Sequence, residues 1–328
     1  MIAVPPNGGY WLEASESKRP DPRSWISKEE CDKAAKTYGA QFKGLDHQNY
    51  YGLDSTENPI VISVKLDPNG FFDVVIRTNE NTQIACVKES QAPSDAKLTW
   101  LSQQARIDCD CLYPVICPRA SEMILKFDQH SIMDKFKFGV LYQKFGQLTE
   151  EAIFGNRTHS PAMDEFLEML GQKVELSNHE GYRGGLDTKH GQTGTHAVYQ
   201  VHKEHEIMFH VSTLLPYVET DPQQLQRKCH IGNDIVAIVF QDANTPFSPD
   251  MITSHFLHAY IVIQPLDPCT DKTRYRISVT AKEDVPHFLS PLPSPAIFRK
   301  GPEFANYLLE KLINAETACL RGAAQFKR

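Results

Sequence analysis

The chain carries no excess of basic residues. Lys and Arg together number 34 against 41 Asp and Glu, which gives a formal net charge of −7. Proteins that bind nucleic acid normally show a basic excess or a clustered basic face. Here the basic residues form only local spots such as Arg227 and Lys228. We therefore expect no nucleic-acid partner.

Long apolar runs and a secretion signal are also missing. No stretch of about 18 apolar residues occurs, so no helix is expected to span a membrane. The opening segment MIAVPPNGGYW has neither a basic nor an apolar signal region and resembles an entry partway into a larger protein. The eight cysteines follow no pairing framework. These features together indicate a reducing, cytoplasmic setting, with any membrane recruitment left to regions outside this chain.

The common catalytic and ligand motifs do not occur. The sequence contains neither GxxxxGK[ST], GxGxxG nor GxSxG. Cys109-x-Cys111 is too tightly spaced for a structural zinc site, and the histidines between His202 and His210 are explained as partly exposed side chains. Glycine-rich residues 179–195 are either a plain loop or a loop that holds a ligand with its amides. We expect no metal site and no resident cofactor.

The length of 328 residues favours two domains. Residues 1–136 carry short alternating runs separated by turns, which predict a small α+β sheet domain. Within it we predict a hairpin, with one strand over Ile60–Leu66 and the next from Phe71. We also predict a helix over residues 94–105 and a strand over residues 120–129.

Residues 137–328 predict an α/β domain with a central mixed sheet flanked by helices. Ser160 as N-cap, Pro161 at the first position and Gly171 after the end define one helix. The apolar spacing of residues 301–320 predicts a long amphipathic helix. Residues 274–282 alternate and predict an edge strand. Residues 136–143 are strand-like. Apolar runs without alternation, which are typical of strands buried on both faces, cover residues 206–216, 234–242 and 258–266.

The stretch RKCHIGNDIVAIVF predicts a corner between a helix and a buried strand. Thr220 or Asp221 can cap the helix, Pro222 suits its first turn and Gly232 can end it. Asn233 then stands between the helix and the strand. It is either a turn residue, as Asn commonly is near helix ends, or a side chain that a rigid frame presents.

Helical spacing assigns directions to the side chains of this stretch. Those predicted to face inward are Leu225, Cys229 and Ile231. Those predicted to face outward are Arg227, Lys228 and His230.

RKCHIGNDIVAIVFQD resembles the signature of the Rap GTPase-activating proteins. Several other segments occur in the order of that family: FKFGVLYQKFGQLTEE, EFLEMLGQKV, GYRGGLDTKHGQTGT, EIMFHVSTLLPY, FLHAYIVIQ and IFRKGPEF. The resemblance covers residues 136–328 and is fainter at NYYGLD. It implies a G-domain-like catalytic domain over residues 137–328, preceded by a dimerisation domain over residues 1–136. A homodimer is the expected assembly.

The family resemblance implies an activator of a Rap-type small GTPase in its GTP state. Such GTPases are understood to lack the glutamine that orients water in Ras, and the family supplies an asparagine thumb in trans. By motif the thumb is Asn233, whose amide offers a donor and an acceptor on one neutral group. GTP and Mg²⁺ would arrive with the GTPase.

The resemblance also implies residues that dock the GTPase. They are His230, Arg227, Lys228, Phe256 and Gln147. From the residues alone, Arg227 and Lys228 are alternatively a solvated face. Phe256 is alternatively a core side chain, and Gln147 a residue at the start of a helix. Cys229 departs from the pattern, because a basic residue is expected there, which leaves the affinity open.

Two other functions stay open from the sequence. The domain is alternatively a non-catalytic scaffold that binds an activated Ras-family GTPase, although Asn233 argues against this. A self-contained nucleotide-binding enzyme would need a P-loop, which is missing. The preferred GTPase is not fixed by the sequence.

Overall fold

The computed structural model describes residues 8–13, 28–54, 57–78, 82–91, 109, 111–130 and 132–322. They fall into two compact units, which are residues 28–133 and residues 134–322 with the N-terminal strand β1 (Tyr10–Leu12). The predicted division assigned all of residues 1–136 to the first domain, whereas β1 belongs to the larger unit. The helix predicted over residues 94–105 lies outside the described residues.

In its described residues, the smaller unit is an antiparallel five-stranded sheet with two helices. Its elements are α1 (Lys28–Gln41), β2 (Gln48–Leu53), β3 (Pro59–Leu66), β4 (Phe71–Arg77), β5 (Thr82–Lys88), β6 (Leu112–Pro114) and α2 (Ala120–His130). The strand order is β5-β4-β3-β2-β6.

The predicted hairpin of this unit is confirmed, and one predicted strand is wrong. Strands β3 and β4 pair antiparallel, and the Asp67 carboxylate closes the turn by accepting from the Asn69 and Phe71 amides. Residues 120–129 form helix α2 instead of a strand. Its Asp128 accepts two hydrogen bonds from the buried guanidinium of Arg77, at 2.8 and 2.6 Å. A short apolar run does not by itself distinguish a strand from a helix.

The larger unit has a nine-stranded mixed sheet. Besides β1, its strands are β7 (Lys135–Gln143), β8 (Gln172–Glu175), β9 (His196–His202), β10 (His205–Val211), β11 (Val236–Gln241), β12 (Ala259–Leu266), β13 (Arg274–Lys282) and β14 (Ile297–Arg299). The strand order is β1-β13-β12-β11-β7-β10-β9-β8, with β14 beside β13. Its helices are α3 (Glu150–Phe154), α4 (Pro161–Leu170), α5 (Leu225–Ile231) and α6 (Pro302–Gly322).

The four central strands, β10, β7, β11 and β12, are parallel. Every residue of β11 is buried, as the run without alternation predicts. Ala237 and Val239 pack on the face that carries α3 and α5. Phe240 faces the other side, where its ring lies 5.2 Å from that of Phe166 on α4. The predicted central mixed sheet flanked by helices is therefore confirmed.

Strand β13 is flanked on its outer side by two short strands and is not the predicted edge. Strand β1 pairs with residues 280–282 and β14 with residues 274–276. Both partners come from distant parts of the chain, so the alternation within β13 carried no sign of them.

The helices predicted after Ser160 and over residues 301–320 are confirmed. Ser160 caps α4 by accepting from the Met163 amide, with Pro161 in the first turn. Helix α6 buries the predicted apolar side, which consists of Phe304, Leu308, Leu309, Leu312 and Ile313. Among the described residues, no helix has the length and apolar content that crossing a membrane requires.

Candidate functional site

The candidate site is the α5–β11 corner, residues 232–235, which joins the end of helix α5 to strand β11. The Asp221 carboxylate accepts from the amides of Gln223 and Leu225, at 3.1 and 2.7 Å, so the predicted capping residue acts at this end. The helix itself begins at Leu225, later than predicted, because Gln224 adopts a left-handed conformation with φ of 49°. Gly232 ends the helix, as predicted.

The predicted orientation of α5 is confirmed at Ile231 and wrong at Leu225, Cys229 and Arg227. Arg227 and Ile231, four residues apart, face the interior. Leu225, Cys229 and Asn233, also spaced by four, are exposed. Leu225 and Cys229 were predicted to face inward and Arg227 outward. The outcome is reversed because the guanidinium of Arg227 finds a complete set of acceptors inside the unit.

The Arg227 side chain is 2% exposed and holds two neighbouring segments. Its Nη1 donates to the carbonyls of Phe154 and Asn156, at 2.9 and 2.6 Å. Its Nη2 donates to the Leu215 carbonyl at 2.9 Å, and its Nε to those of Leu215 and Pro216 at 3.1 Å. Burial lowers the pKa of the guanidinium, but a planar fork with five donors matches this set of carbonyls well.

The peptide groups on both sides of Asn233 are held by side chains from elsewhere in the fold. Ser254 Oγ donates to the Gly232 carbonyl at 2.6 Å. Lys137 Nζ donates to the Asn233 carbonyl at 2.9 Å. The Asn233 side chain is exposed, and its carboxamide bonds to none of the residues that the structure describes. The corner thus combines a fixed backbone with an uncommitted amide.

A buried charged cluster lies beneath the corner. Asp234, 0% exposed, accepts through Oδ2 from His210 Nδ1 at 2.9 Å, and the other ring nitrogen of His210 donates to the Gly184 carbonyl at 3.0 Å. Lys137 Nζ lies 3.1 Å from Asp234 Oδ1 as an ion pair without hydrogen-bond alignment. Burial and, to a smaller extent, the Asp234 charge raise the pKa of Glu316 on α6 to about 8, and Lys137 opposes the rise.

His230 lies half-buried on α5 close to this cluster. Its ring centroid is 5.9 Å from that of His210 in an edge-on arrangement. Burial lowers the pKa of His230, His210 and Lys137 lower it further, and Asp234 opposes them. Its ring is therefore neutral at pH 7 and offers hydrogen bonding rather than positive charge.

The structure gives Lys228 and Gln147 internal partners. Lys228 Nζ lies 2.6 Å from Glu150 Oε2 on α3, and Glu150 Oε1 accepts from the Thr253 amide. The Gln147 amide accepts from the Lys144 backbone at 2.7 Å and donates to the Ala152 carbonyl at 2.7 Å. It therefore closes the turn between β7 and α3.

Phe256 is 43% exposed, although it follows Ser254 by only two residues. Ser254 Oγ accepts from the Phe256 amide at 3.0 Å while donating to the Gly232 carbonyl. A single hydroxyl therefore ties the loop of this exposed ring to the α5–β11 corner.

The glycine-rich residues 179–195 form a loop beside α5. The Asp187 carboxylate accepts from the amides of Lys189, His190 and Gln192, and these hydrogen bonds lower its pKa to about 2. The Gln192 carbonyl accepts from Gln226 Nε2 at 2.8 Å. Amides that could have held a phosphate thus serve a side chain of the loop, which favours the plain-loop interpretation. Within the described ranges, no group of three His, Cys, Asp or Glu could hold a metal ion.

Sequence reasoning missed Lys137, Ser254 and Asp234. One signal was available: Gly139 interrupts a buried strand, and such a glycine often marks a close approach. A Cβ at Gly139 would lie 2.7 Å from Ile231 Cγ2, so this glycine lets α5 pack directly on β7. The hydrogen bonds of Lys137 and Ser254 cross 96 and 22 residues of chain, and no local pattern encodes them.

Comparison with protein families gives two matches. Residues 153–328 match the family model of the Rap/ran-GAP domain, and residues 34–135 match that of the Rap/Ran-GAP protein dimerization domain. The first match covers the α5–β11 corner and more than half of the chain.

Individual proteins are similar as well. Human signal-induced proliferation-associated 1-like protein 2 is 38% identical over 94% of this chain and 19% of its own length. GTPase-activating Rap/Ran-GAP domain-like protein 3 of Gallus gallus is 40% identical over 86% of this chain and 32% of its own length. The chain thus spans a fifth to a third of these curated relatives. The solved structure of the TSC2 GAP domain matches with a TM-score of 0.50 and 32% identity, covering 57% of this chain and 98% of that one.

Proposed function

The chain belongs to the Rap/Ran-GAP family, and from that premise we propose that it accelerates GTP hydrolysis by a Rap-type small GTPase in its GTP state. It would act as an activator, with hydrolysis taking place in the partner. GTP and Mg²⁺ are carried by that partner, and the Mg²⁺ neutralises charge on the phosphates there. The name of one relative, GTPase-activating Rap/Ran-GAP domain-like protein 3 of Gallus gallus, agrees with this class of activity.

The observation that carries the proposal is the exposed, uncommitted carboxamide of Asn233 on a backbone held from both sides. Phosphoryl transfer leaves little covalent work to a protein, so catalysis rests on positioning and charge stabilisation. A carboxamide can accept from the attacking water and donate to a phosphate oxygen. It stays neutral, so it adds no repulsion beside a triphosphate. We assign Asn233 as the thumb that orients the water.

The surroundings of Asn233 support two kinds of role. His230, Lys228 and Phe256 are accessible enough to contact a docked GTPase, with Phe256 supplying the apolar contact. Arg227 donates to backbone carbonyls inside the fold, and Gln147 both donates and accepts there, so we propose that these two residues support the site from the interior. Cys229 stands where the family pattern has a basic residue. The cations near the corner are Lys228, which is close to it in sequence, and Lys137, which donates to the Asn233 carbonyl.

We further propose that the chain forms a homodimer through its smaller unit. Residues 34–135 match the dimerization domain of the family. This unit exposes large apolar side chains for more than half of their surface, including Tyr51, Tyr113, Ile116 and Phe127. The rings of Tyr51 and Tyr113 lie together, 5.7 Å apart, on neighbouring strands. Such surface is typical of an interface.

A panel of small GTPases tests the function and its partner in one assay. Rap, Ras and Rheb proteins, each loaded with GTP, are mixed with the wild-type chain, and both binding and phosphate release are measured. We expect phosphate release to rise by roughly 10³–10⁵-fold with Rap, as other catalytic groups supplied in trans achieve. Binding without faster release would identify a scaffold instead, and acceleration of another member alone would reassign the partner.

A further inference from the structure

Two consecutive carbonyl groups at the α5–β11 corner are each held by one side chain. The Gly232 carbonyl accepts from Ser254 Oγ at 2.6 Å, and the Asn233 carbonyl accepts from Lys137 Nζ at 2.9 Å. These carbonyls lie immediately before and after the Cα of Asn233. Carbonyls at the C-terminal end of a helix have no partner within the helix, so water would otherwise compete for them.

The two donors come from separate parts of the larger unit. Lys137 lies on β7, whose next-but-one residue, Gly139, pairs with Ala237 of β11. Ser254 lies in the segment that leads to β12, and its hydroxyl also accepts from the Phe256 and Leu257 amides, at 3.0 and 3.1 Å. Leu257 is buried, so Ser254 is itself anchored to the core. Lys137 is therefore attached to the central sheet, and Ser254 to the segment of the buried Leu257, rather than to the corner itself.

We propose that Ser254 and Lys137 are positioning residues, which fix the peptide planes on both sides of Asn233 so that its carboxamide meets the attacking water. The proposal rests on the function proposed above. A side chain acts on a reacting water only within a few tenths of an ångström of the right place, and a displacement of about 1 Å can cost about 10²-fold in rate. Neither residue needs to touch the GTPase to have this effect.

Ser254 links two features that a docked GTPase would meet. Its hydroxyl donates toward the corner and accepts from the amide of Phe256, the exposed ring. Loss of the hydroxyl would free the Gly232 carbonyl and two amides together. The rate should then suffer more than the affinity, because the Phe256 ring itself remains.

The test is single-turnover GTP hydrolysis on Rap, with the full chain titrated to saturation so that kcat and KM are separated. The variants are Ser254→Ala, Ser254→Thr, Asn233→Ala and the double variant Asn233→Ala with Ser254→Ala. Ser177→Ala is the matched control, because it removes an exposed hydroxyl whose partner among the described residues is the nearby Glu175 carboxylate. Melting temperature is recorded for every variant.

We expect Ser254→Ala to lower kcat by about 10-fold or more with KM changed by less than about 3-fold. Ser254→Thr, which keeps the hydroxyl, should restore kcat to within about 3-fold of wild type. In the Asn233→Ala background the serine substitution should have no further effect, because the residue acts through Asn233. Lys137→Met should behave like Ser254→Ala, with Lys135→Met as its control on the same strand. Lys137→Met also removes the cation beside Asp234. If the Lys137→Met variant does not fold, the result with Ser254→Ala decides the test.

Three results would overturn the inference. They are an unchanged kcat in Ser254→Ala, an equal further loss in the Asn233→Ala background, and a threonine variant as slow as the alanine variant. A wild-type rate in Asn233→Ala would instead overturn the proposed thumb, and the positioning role with it. The two failures are thus distinguished by which single variant keeps its activity.

Discussion

Lys137 on strand β7 donates a hydrogen bond of 2.9 Å to the backbone carbonyl of Asn233, 96 residues further along the chain. The same ammonium lies 3.1 Å from the buried carboxylate of Asp234. One cation of the central sheet thus holds the turn and balances the charge beneath it. The backbone at Asn233 is therefore tied directly to the central sheet.

Arg227 should be essential for stability through its hydrogen-bonding geometry. Arg227→Lys keeps the charge but loses the fork, which leaves several of the carbonyls of Phe154, Asn156, Leu215 and Pro216 unsatisfied. We expect the free energy of unfolding in urea to fall by roughly 3 kcal/mol. Lys228→Ala, which breaks a partly exposed pair on the same helix, should cost about 1 kcal/mol or less. Equal stability of the lysine variant and wild type would show that Arg227 is not structural.

The buried pair of Glu13 and Lys311 should tie strand β1 to helix α6. Lys311 Nζ lies 2.7 Å from Glu13 Oε2, and both side chains are almost fully buried. Glu13→Ala leaves a buried ammonium without its carboxylate and should cost roughly 3–5 kcal/mol in urea unfolding.

Two controls accompany that measurement. Glu310 lies on the same helix as Lys311 and forms an exposed ion pair with Lys203. Glu310→Ala should therefore cost less than about 1 kcal/mol in the free energy of unfolding. Adding Lys311→Met to Glu13→Ala should recover part of the loss, because the uncompensated charge is gone. A double variant less stable than Glu13→Ala would contradict this account.

Glu316 should make stability fall as pH rises. Its pKa in the fold is about 8, raised chiefly by burial, whereas an unfolded glutamate titrates near 4.3. Between these values the folded state binds one more proton than the unfolded state, so raising the pH favours unfolding.

The comparison of wild type with Glu316→Gln measures this effect. The two should be similarly stable near pH 4.5, and the variant should gain roughly 3–5 kcal/mol over wild type by pH 8. Urea unfolding at several pH values gives the difference directly. A difference that does not change with pH would show that Glu316 is ionised in the folded state throughout.

The apolar surface of the smaller unit should mediate dimerisation. Ile116 is 91% exposed and Phe127 65% exposed. Placing a carboxylate at both positions should convert a dimer to a monomer, because charge is strongly disfavoured in an interface core. Sedimentation equilibrium measures the mass, with Val201→Glu on the larger unit as control. A monomeric wild-type chain, or an unaffected double variant, would contradict the homodimer.

Periodic patterns were enough for the central sheet and the main helices of the larger unit. Val236–Gln241 is apolar at nearly every position, which is typical of a strand buried on both faces. The strand prediction for residues 120–129 was wrong because the side of helix α2 that faces the sheet carries Asp128, a polar residue that is nevertheless buried. Its partner Arg77 is 51 residues away, so the pattern held no sign that this carboxylate is buried.

The family resemblance identified the candidate site, but it did not identify the side chains that hold the backbone of the site in place. The signature RKCHIGND drew attention to Asn233, but hydrophobic spacing placed Arg227 on the wrong side of α5. A buried arginine is rare, and its acceptors are carbonyls of distant segments, so no scale of side-chain polarity predicts it. Ser254 and Lys137 were missed for the same reason, since each acts on backbone far away in sequence.

The rate of GTP hydrolysis with Asn233→Ala tests the central claim most directly. Saturating amounts of wild type and variant are compared on Rap loaded with GTP, with Asn178→Ala as an exposed asparagine control. We predict that kcat falls by about 10²–10³-fold while the melting temperature stays within about 2 °C. A variant that is correctly folded, binds Rap and still accelerates hydrolysis at the wild-type rate would contradict the account.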